Sequence, residues 1–172
     1  YERLAGSGST AVFKLYLSPA LESLPDAVAA LVETLSFRAA TSFKIGGTAA
    51  DLLRPDKMVV YFSTLPDLAL AARQLTDRLA GVPPQGVPFT AEIAGDGLLS
   101  WGVDPPARAR ALGESARSWR EWVCHQLAMG IVEAKEAGEA EPAERALARV
   151  RRLGVDTERW LPPVGSWGRA LR

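Results

Sequence analysis

Lysine is scarce in this chain. Of 20 basic residues 16 are arginine, and only Lys14, Lys44, Lys57 and Lys135 are lysine, so lysine is not what keeps the surface in water and each one needs a local reason. Cysteine is scarcer. Cys124 alone excludes an internal disulfide, and with one histidine, His125, there are too few soft ligands for a zinc site. That usage points to a reducing, cytoplasmic setting. Net charge is absent as well, 20 basic residues facing 20 acidic ones, which argues against a broadly basic nucleic-acid surface. No apolar run reaches membrane-spanning length and no signal peptide is visible. The chain opens at Tyr1 rather than at methionine, which leaves room for a preceding segment.

What is present is 172 residues, 48% of them apolar, enough to bury one substantial core. STAVFKLYL alternates like a half-buried strand, with Ala11, Phe13, Leu15 and Leu17 on one side. Pro25-Asp26 opens a helix over AVAALVETL. RAATSFKI returns to period two and stops at Gly46-Gly47, a short turn-and-helix stretch follows, and KMVVYF is a third strand. Thr64 caps a second helix that closes at Gly81, and FTAEIAG reads as a fourth strand with Phe89, Ala91 and Ile93 on one face. The order is that of the split βαβ unit, so the expected fold class is α+β: a ferredoxin-like βαββαβ antiparallel sheet over 9–95. Helices are expected over 105–154 and coil over 155–172, with an acidic joint, EAGEAEPAE, between the two long helices. The apolar surface of those helices predicts that they cover the sheet face left open by the first two.

Strand parity then fixes what the open face carries. It receives Val12, Lys14 and Tyr16 from the first strand, Ser42 and Lys44 from the second, Lys57, Val59 and Tyr61 from the third, and Thr90 and Glu92 from the fourth. Three of four lysines fall together, with Arg54 just ahead of the third strand, so a chain without net charge gains a cationic, hydroxyl-rich patch suited to a phosphate or a carboxylate. Plainer readings exist for each: Lys44 as an edge guard, Lys57 as a solvated strand entrance, Gly46-Gly47 as a turn only. His125 and Cys124 read as packing residues of the long helix, and Arg120, among Trp119 and Trp122, reads either as a solvated helix arginine or as a cation pressed towards the sheet.

The blocks FKLYL, SFKIGG, RPDKMVVYF, VPFTAEIAGDGLLSWGVDPP, SWREWVCHQLAMGIVEA and LGVDTERWLPPVGS resemble the HopA-type effector family. They are especially similar to the HopA-like phospho-lyases of class V lanthipeptide and thioamitide biosynthesis. The resemblance covers Ser9 to Ser166 and frames a single domain. It implies elimination of phosphate from phosphoserine or phosphothreonine in a ribosomal precursor peptide, giving dehydroamino acids. The implied partners are that peptide and a separate kinase-like protein, with no nucleic acid and no membrane. Where many relatives place an arginine before the cysteine of the long helix this chain has Val123, so that residue's role is not carried over.

Elimination needs a base for the α-proton, donors for the enolate-like carbonyl and cations for the departing phosphate. A lysine serves as base only with a pKa lowered towards neutrality, which burial and neighbouring cations bring about. The expected base is Lys44, with Lys14 and Tyr61 completing the catalytic set. Arg54, Arg120 and Lys14 would hold phosphate, Lys57 would add to the field, and Ser118 would share the missing arginine's part. Tyr16 and Thr90, with Tyr61, would orient the substrate. No metal or cofactor is expected, because the leaving group arrives already activated. Two rival readings differ in class: a non-catalytic peptide- or kinase-binding module of the same fold, and an RNA-binding module stacking bases on Tyr16 and Tyr61. A lyase needs a pocket built over the sheet, and an RNA binder needs that face open.

Overall fold

Phe13, Leu15 and Leu17 point to one side of their strand and bury fully with Met58, Val60 and Phe62, and this alternation builds the core of the computed structural model. The structure describes residues 12–36, 40–105 and 118–163. In chain order the elements are β1 (Phe13–Leu17), α1 (Leu24–Leu35), β2 (Ala40–Ile45), α2 (Ala49–Leu52), β3 (Met58–Phe62), α3 (Leu65–Arg78), β4 (Ala91–Glu92), β5 (Leu99–Val103), α4 (Trp119–Glu136) and α5 (Pro142–Arg152). The sheet is antiparallel in the order β2-β3-β1-β5-β4. The fold is therefore the expected α+β, with α1 and α3 backing one sheet face through Ala27, Leu31, Leu68, Ala71, Ala72 and Leu75. Expected strand residues 9–11 and 38–39, helix residues 106–117 and coil residues 164–172 lie outside the described residues.

The fourth strand requires a correction. The place beside β1 expected for FTAEIAG belongs to β5, while β4 keeps two residues at the sheet's edge. The cause is the turn Gly95-Asp96-Gly97. Both glycines take left-handed φ values, 77° and 80°, and the Asp96 carboxylate accepts from the Leu98 N–H at 2.9 Å, which reverses the chain into a hairpin. Leu99, Trp101 and Val103 then continue the core face opposite Leu17, Leu15 and Phe13.

The second face is covered from two directions. The segment after α3 folds back across it: Pro19 bridges Pro84, the Gln85 N–H donates to the Ser18 carbonyl at 2.8 Å, and Val87 packs on Tyr16 and Val59. The first turn of α4 covers the far side. Ser118 caps that helix in a capping box with Glu121, and Trp119 lies flat against Gly102, where an added Cβ would stand 2.5 Å from the indole Cδ1. Gly102→Ala must therefore displace a buried tryptophan and is expected to destabilise the fold by about 1–3 kcal/mol in urea titration. Parent-like stability would show that α4 does not sit there. Further along, Gly130 lets α4 approach the backbone of Ala146 in α5, and Arg149 ties both helices through Gln126 and Glu133.

Candidate functional site: an arginine pair on one carboxylate beside a lysine-lined cavity

The register arranges the second sheet face as two rows. One runs Gly102, Lys14, Tyr61, Ser42, and the other Ser100, Tyr16, Val59, Lys44. Lys14 and Lys44 thus share a face, as parity required, but stand two strand spacings apart, roughly 10 Å in that direction alone. Their surroundings differ. Lys14 is 8% exposed, its ammonium 2.7 Å from Asp104 Oδ1 and 5.6 Å from the centre of the Tyr61 ring. The same Asp104 oxygen accepts the Trp119 N–H at 3.0 Å, so Lys14 is joined to the start of α4 rather than open to a phosphate. Lys44 lies exposed on the edge strand.

Lys57 is the clearest departure from a solvated entrance. It is 2% exposed, and its ammonium donates to the Pro19 carbonyl at 2.8 Å and to Gln85 Oε1. Gln85 in turn donates to the Leu53 carbonyl. Burial lowers the Lys57 pKa below the ordinary lysine value, the property a lysine base needs, yet the amine is turned into the protein. It acts as a bolt between β3, the end of β1 and the covering segment. Lys57→Met, which leaves both acceptors unpaired, is expected to destabilise the fold by about 1–3 kcal/mol. The pH signature has a definite sign: between the lowered folded pKa and the ordinary value the unfolded chain binds more protons, so the parent gains stability as pH rises through that window. The variant should lack that gain in denaturation curves taken across the window.

Near the end of β2 a cavity of about 230 Å³ is lined by Lys44, Ile45, Gly46, Gly47, Asp51, Arg54, Asp56 and Lys57. Gly46 is there because nothing larger fits: a Cβ would stand 2.8 Å from that of Asp51. At its rim two guanidiniums from distant elements meet on Asp56. Arg54 binds it in fork geometry, Nε to Oδ1 at 2.9 Å and Nη2 to Oδ2 at 3.0 Å, and Arg120 Nη1 reaches Oδ2 at 3.0 Å. Arg120 is held by its own Nε, which donates to the Pro88 carbonyl at 3.2 Å. The Arg54 side chain, 60% exposed against 21% for Arg120, is the more accessible partner. Burial pushes the Asp56 carboxyl up, but the Arg54 hydrogen bonds and then the Arg120 charge outweigh it and hold the group below its usual value. Tyr16, 3% exposed, lies within the field of this cluster. Burial and then Asp104 push its phenol well above the ordinary value, which keeps it a neutral donor.

Several expected roles change. Thr90 is buried and its hydroxyl lies 2.6 Å from the Val87 carbonyl and 2.7 Å from Ser100 Oγ, so it fixes the covering segment instead of facing a substrate. The Ser118 hydroxyl accepts from the Glu121 N–H as helix cap. Cys124 is exposed rather than a core residue, because α4 turns Trp122, Val123 and Gln126 inward and Cys124 out. His125 is half-buried on the same helix. Tyr16 lies beneath Val87, so bases have no access to stack there. Among the described residues no helix is long and apolar enough to cross a membrane, and no acidic, histidine and cysteine side chains group as metal ligands. Sequence reasoning misses Asp56 and Asp104. Asp104 follows β5 directly, and the Gly-Asp-Gly hairpin is the signal that would have exposed it. Neither a model of a known protein family nor a curated protein sequence matches the chain.

Proposed function

We propose that this protein is a phospho-lyase acting on phosphoserine or phosphothreonine of a ribosomal precursor peptide. The observation that carries the reading is the convergence of Arg54 and Arg120 on one carboxylate at the rim of a cavity that Lys44 also lines. A phosphate dianion offers the same two guanidiniums more acceptor oxygens than Asp56 does, and can take its place. The resemblance to HopA-type sequence blocks supports the same class. In the reaction the Lys44 amine, at the lining of the cavity, takes the α-proton. The Cα–H electron pair becomes the Cα–Cβ double bond, the Cβ–O bond breaks, and its pair leaves with phosphate between Arg54 and Arg120. Tyr61, the more accessible of the two tyrosines on this face, donates to the carbonyl as enolate character develops. Lys14 serves as a positioning residue through Asp104 and α4. A kinase-like protein supplies the phosphopeptide, and the reaction belongs in the cytoplasm.

The exposure of Lys44 favours one alternative, a module that binds the phosphopeptide, or recruits the kinase, without turnover. One experiment separates the two: incubation with a synthetic phosphothreonine peptide, read by mass spectrometry for loss of phosphoric acid, with the unphosphorylated peptide as control. Loss of phosphoric acid supports the lyase. Phosphate-dependent binding with no mass change assigns the binding module. Equal binding of both peptides sinks the phosphate reading altogether.

A further inference from the structure

β2 is an edge strand with an open flank. Among the described residues nothing pairs beyond it, and Thr41 to Lys44 are all exposed. Its ladder to β3 shows which backbone groups face outward. The Gly46 N–H donates to the Lys57 carbonyl at 2.9 Å, and in an antiparallel ladder the N–H and C=O of one residue point to the same side, alternating along the chain. Lys44 and Ser42 therefore face β3, while Phe43 and Ile45 turn their donors and acceptors outward. The pairing is regular from Ser42 to Ile45, and its one irregularity lies between Ala40 and Ser42, at the end away from the cavity. Sheet edges are ordinarily blunted by bulges, charge or brevity. The opposite edge, β4, is two residues long. Among the described residues the cavity end of β2 has no such protection except Lys44 itself.

We propose that this edge is the rail on which the substrate's backbone docks: an extended stretch of the phosphopeptide adds to β2 as a further strand and delivers its phosphoresidue to the cavity at the strand's end. The inference rests on the reading of that cavity as the phosphoresidue site. Charge favours this occupant, because the rail ends at Lys44 and at the exposed Arg54. Side chains of an added strand alternate between faces. On one face they would meet Ser42 and Lys44, and on the other Phe43, a ring left 45% exposed beside the open edge. Main-chain pairing gives affinity with little regard for side-chain identity, so selectivity would come from the phosphate.

The test uses the full chain and a fluorescein-labelled peptide with one phosphothreonine among alanines and valines. Amide exchange followed by NMR should slow about tenfold or more at Phe43 and Ile45 when peptide binds, and stay unchanged at Ser42 and Lys44, already bonded to β3. N-methylation of the peptide at every second residue should weaken binding by roughly 3- to 10-fold per site, with little effect at the residues between. Binding or turnover without that protection, or a flat N-methyl profile, overturns the rail while leaving the lyase reading in place. Equal protection by the unphosphorylated peptide keeps the rail and removes the phosphate reading. Protection that grows with protein concentration and needs no peptide makes a second copy of the chain the occupant and overturns the proposal. So does failure of the peptide to bind.

Discussion

Lys44→Arg is expected to turn over a phosphothreonine peptide roughly 10²- to 10⁴-fold more slowly than the parent, the span that general-base catalysis usually contributes. It is expected still to bind that peptide within about threefold, because Arg54 and Arg120 remain to hold the phosphate. Guanidinium stays protonated at any working pH and cannot accept the α-proton. Lys44→Ala loses turnover equally and weakens binding only modestly, since Arg54 and Arg120 remain on the phosphate. The pair of variants matters more than either alone: a phosphate ligand tolerates arginine and suffers from alanine, whereas a base tolerates neither. Lys57→Met is the control, because it sits in the same cavity lining with a lowered pKa but has its amine turned towards Pro19 and Gln85. If Lys44→Arg kept parent turnover and Lys57→Met, still folded, lost it, the base would be Lys57 and the face assignment of chemistry would have to be redrawn.

Strand periodicity makes the face legible and little beyond it. Period two places Lys14, Tyr16, Ser42, Lys44 and Tyr61 together because every second residue of a strand must share a side, and the register agrees. The same rule says nothing about who pairs with whom. Parity makes Lys14 a phosphate ligand, but the chain beyond β5 brings Asp104 to it, and that carboxylate has no place until β5 is recognised as a strand. Lys57 obeys parity and still differs both from the cation expected to add to the phosphate's field and from the solvated entrance of the plainer reading, since its burial depends on the path of the proline-rich segment 82–88, where no periodicity guides a reader. Arg120 is only half legible: its aromatic neighbours leave a solvated arginine and a cation pressed towards the sheet equally open, and the Pro88 carbonyl and Asp56 that it meets come from segments that periodicity does not place. Asp56, in the turn before β3, lies between Arg54 and Lys57 in sequence. A search for phosphate ligands directs attention to cations and passes over the carboxylate on which Arg54 and Arg120 converge.

Asp56 sets up the result with the opposite sign. Asp56→Asn, which keeps the shape and removes the charge, is expected to raise affinity for a phosphothreonine peptide by about tenfold, because two guanidiniums would no longer have to leave a carboxylate before they meet a phosphate. Arg120→Ala lowers the same affinity by roughly 10- to 100-fold, the effect of removing one charge-assisted hydrogen bond from a partly covered site. Neither change moves binding of the unphosphorylated peptide appreciably. The gain in Asp56→Asn carries a cost in the fold. Because the Asp56 pKa is held down in the native state, its ion pairs add stability that is fully present above the ordinary carboxylate value and is lost as pH falls through the lowered one. The variant should therefore be less stable than the parent at neutral pH, and the difference should close in acid. A double-mutant cycle with Arg54→Ala and Arg120→Ala, read by binding to both peptides, decides the matter. If Asp56→Asn weakened phosphopeptide binding as much as Arg120→Ala does, the carboxylate would be a clamp that positions the arginines for their ligand rather than a stand-in for it.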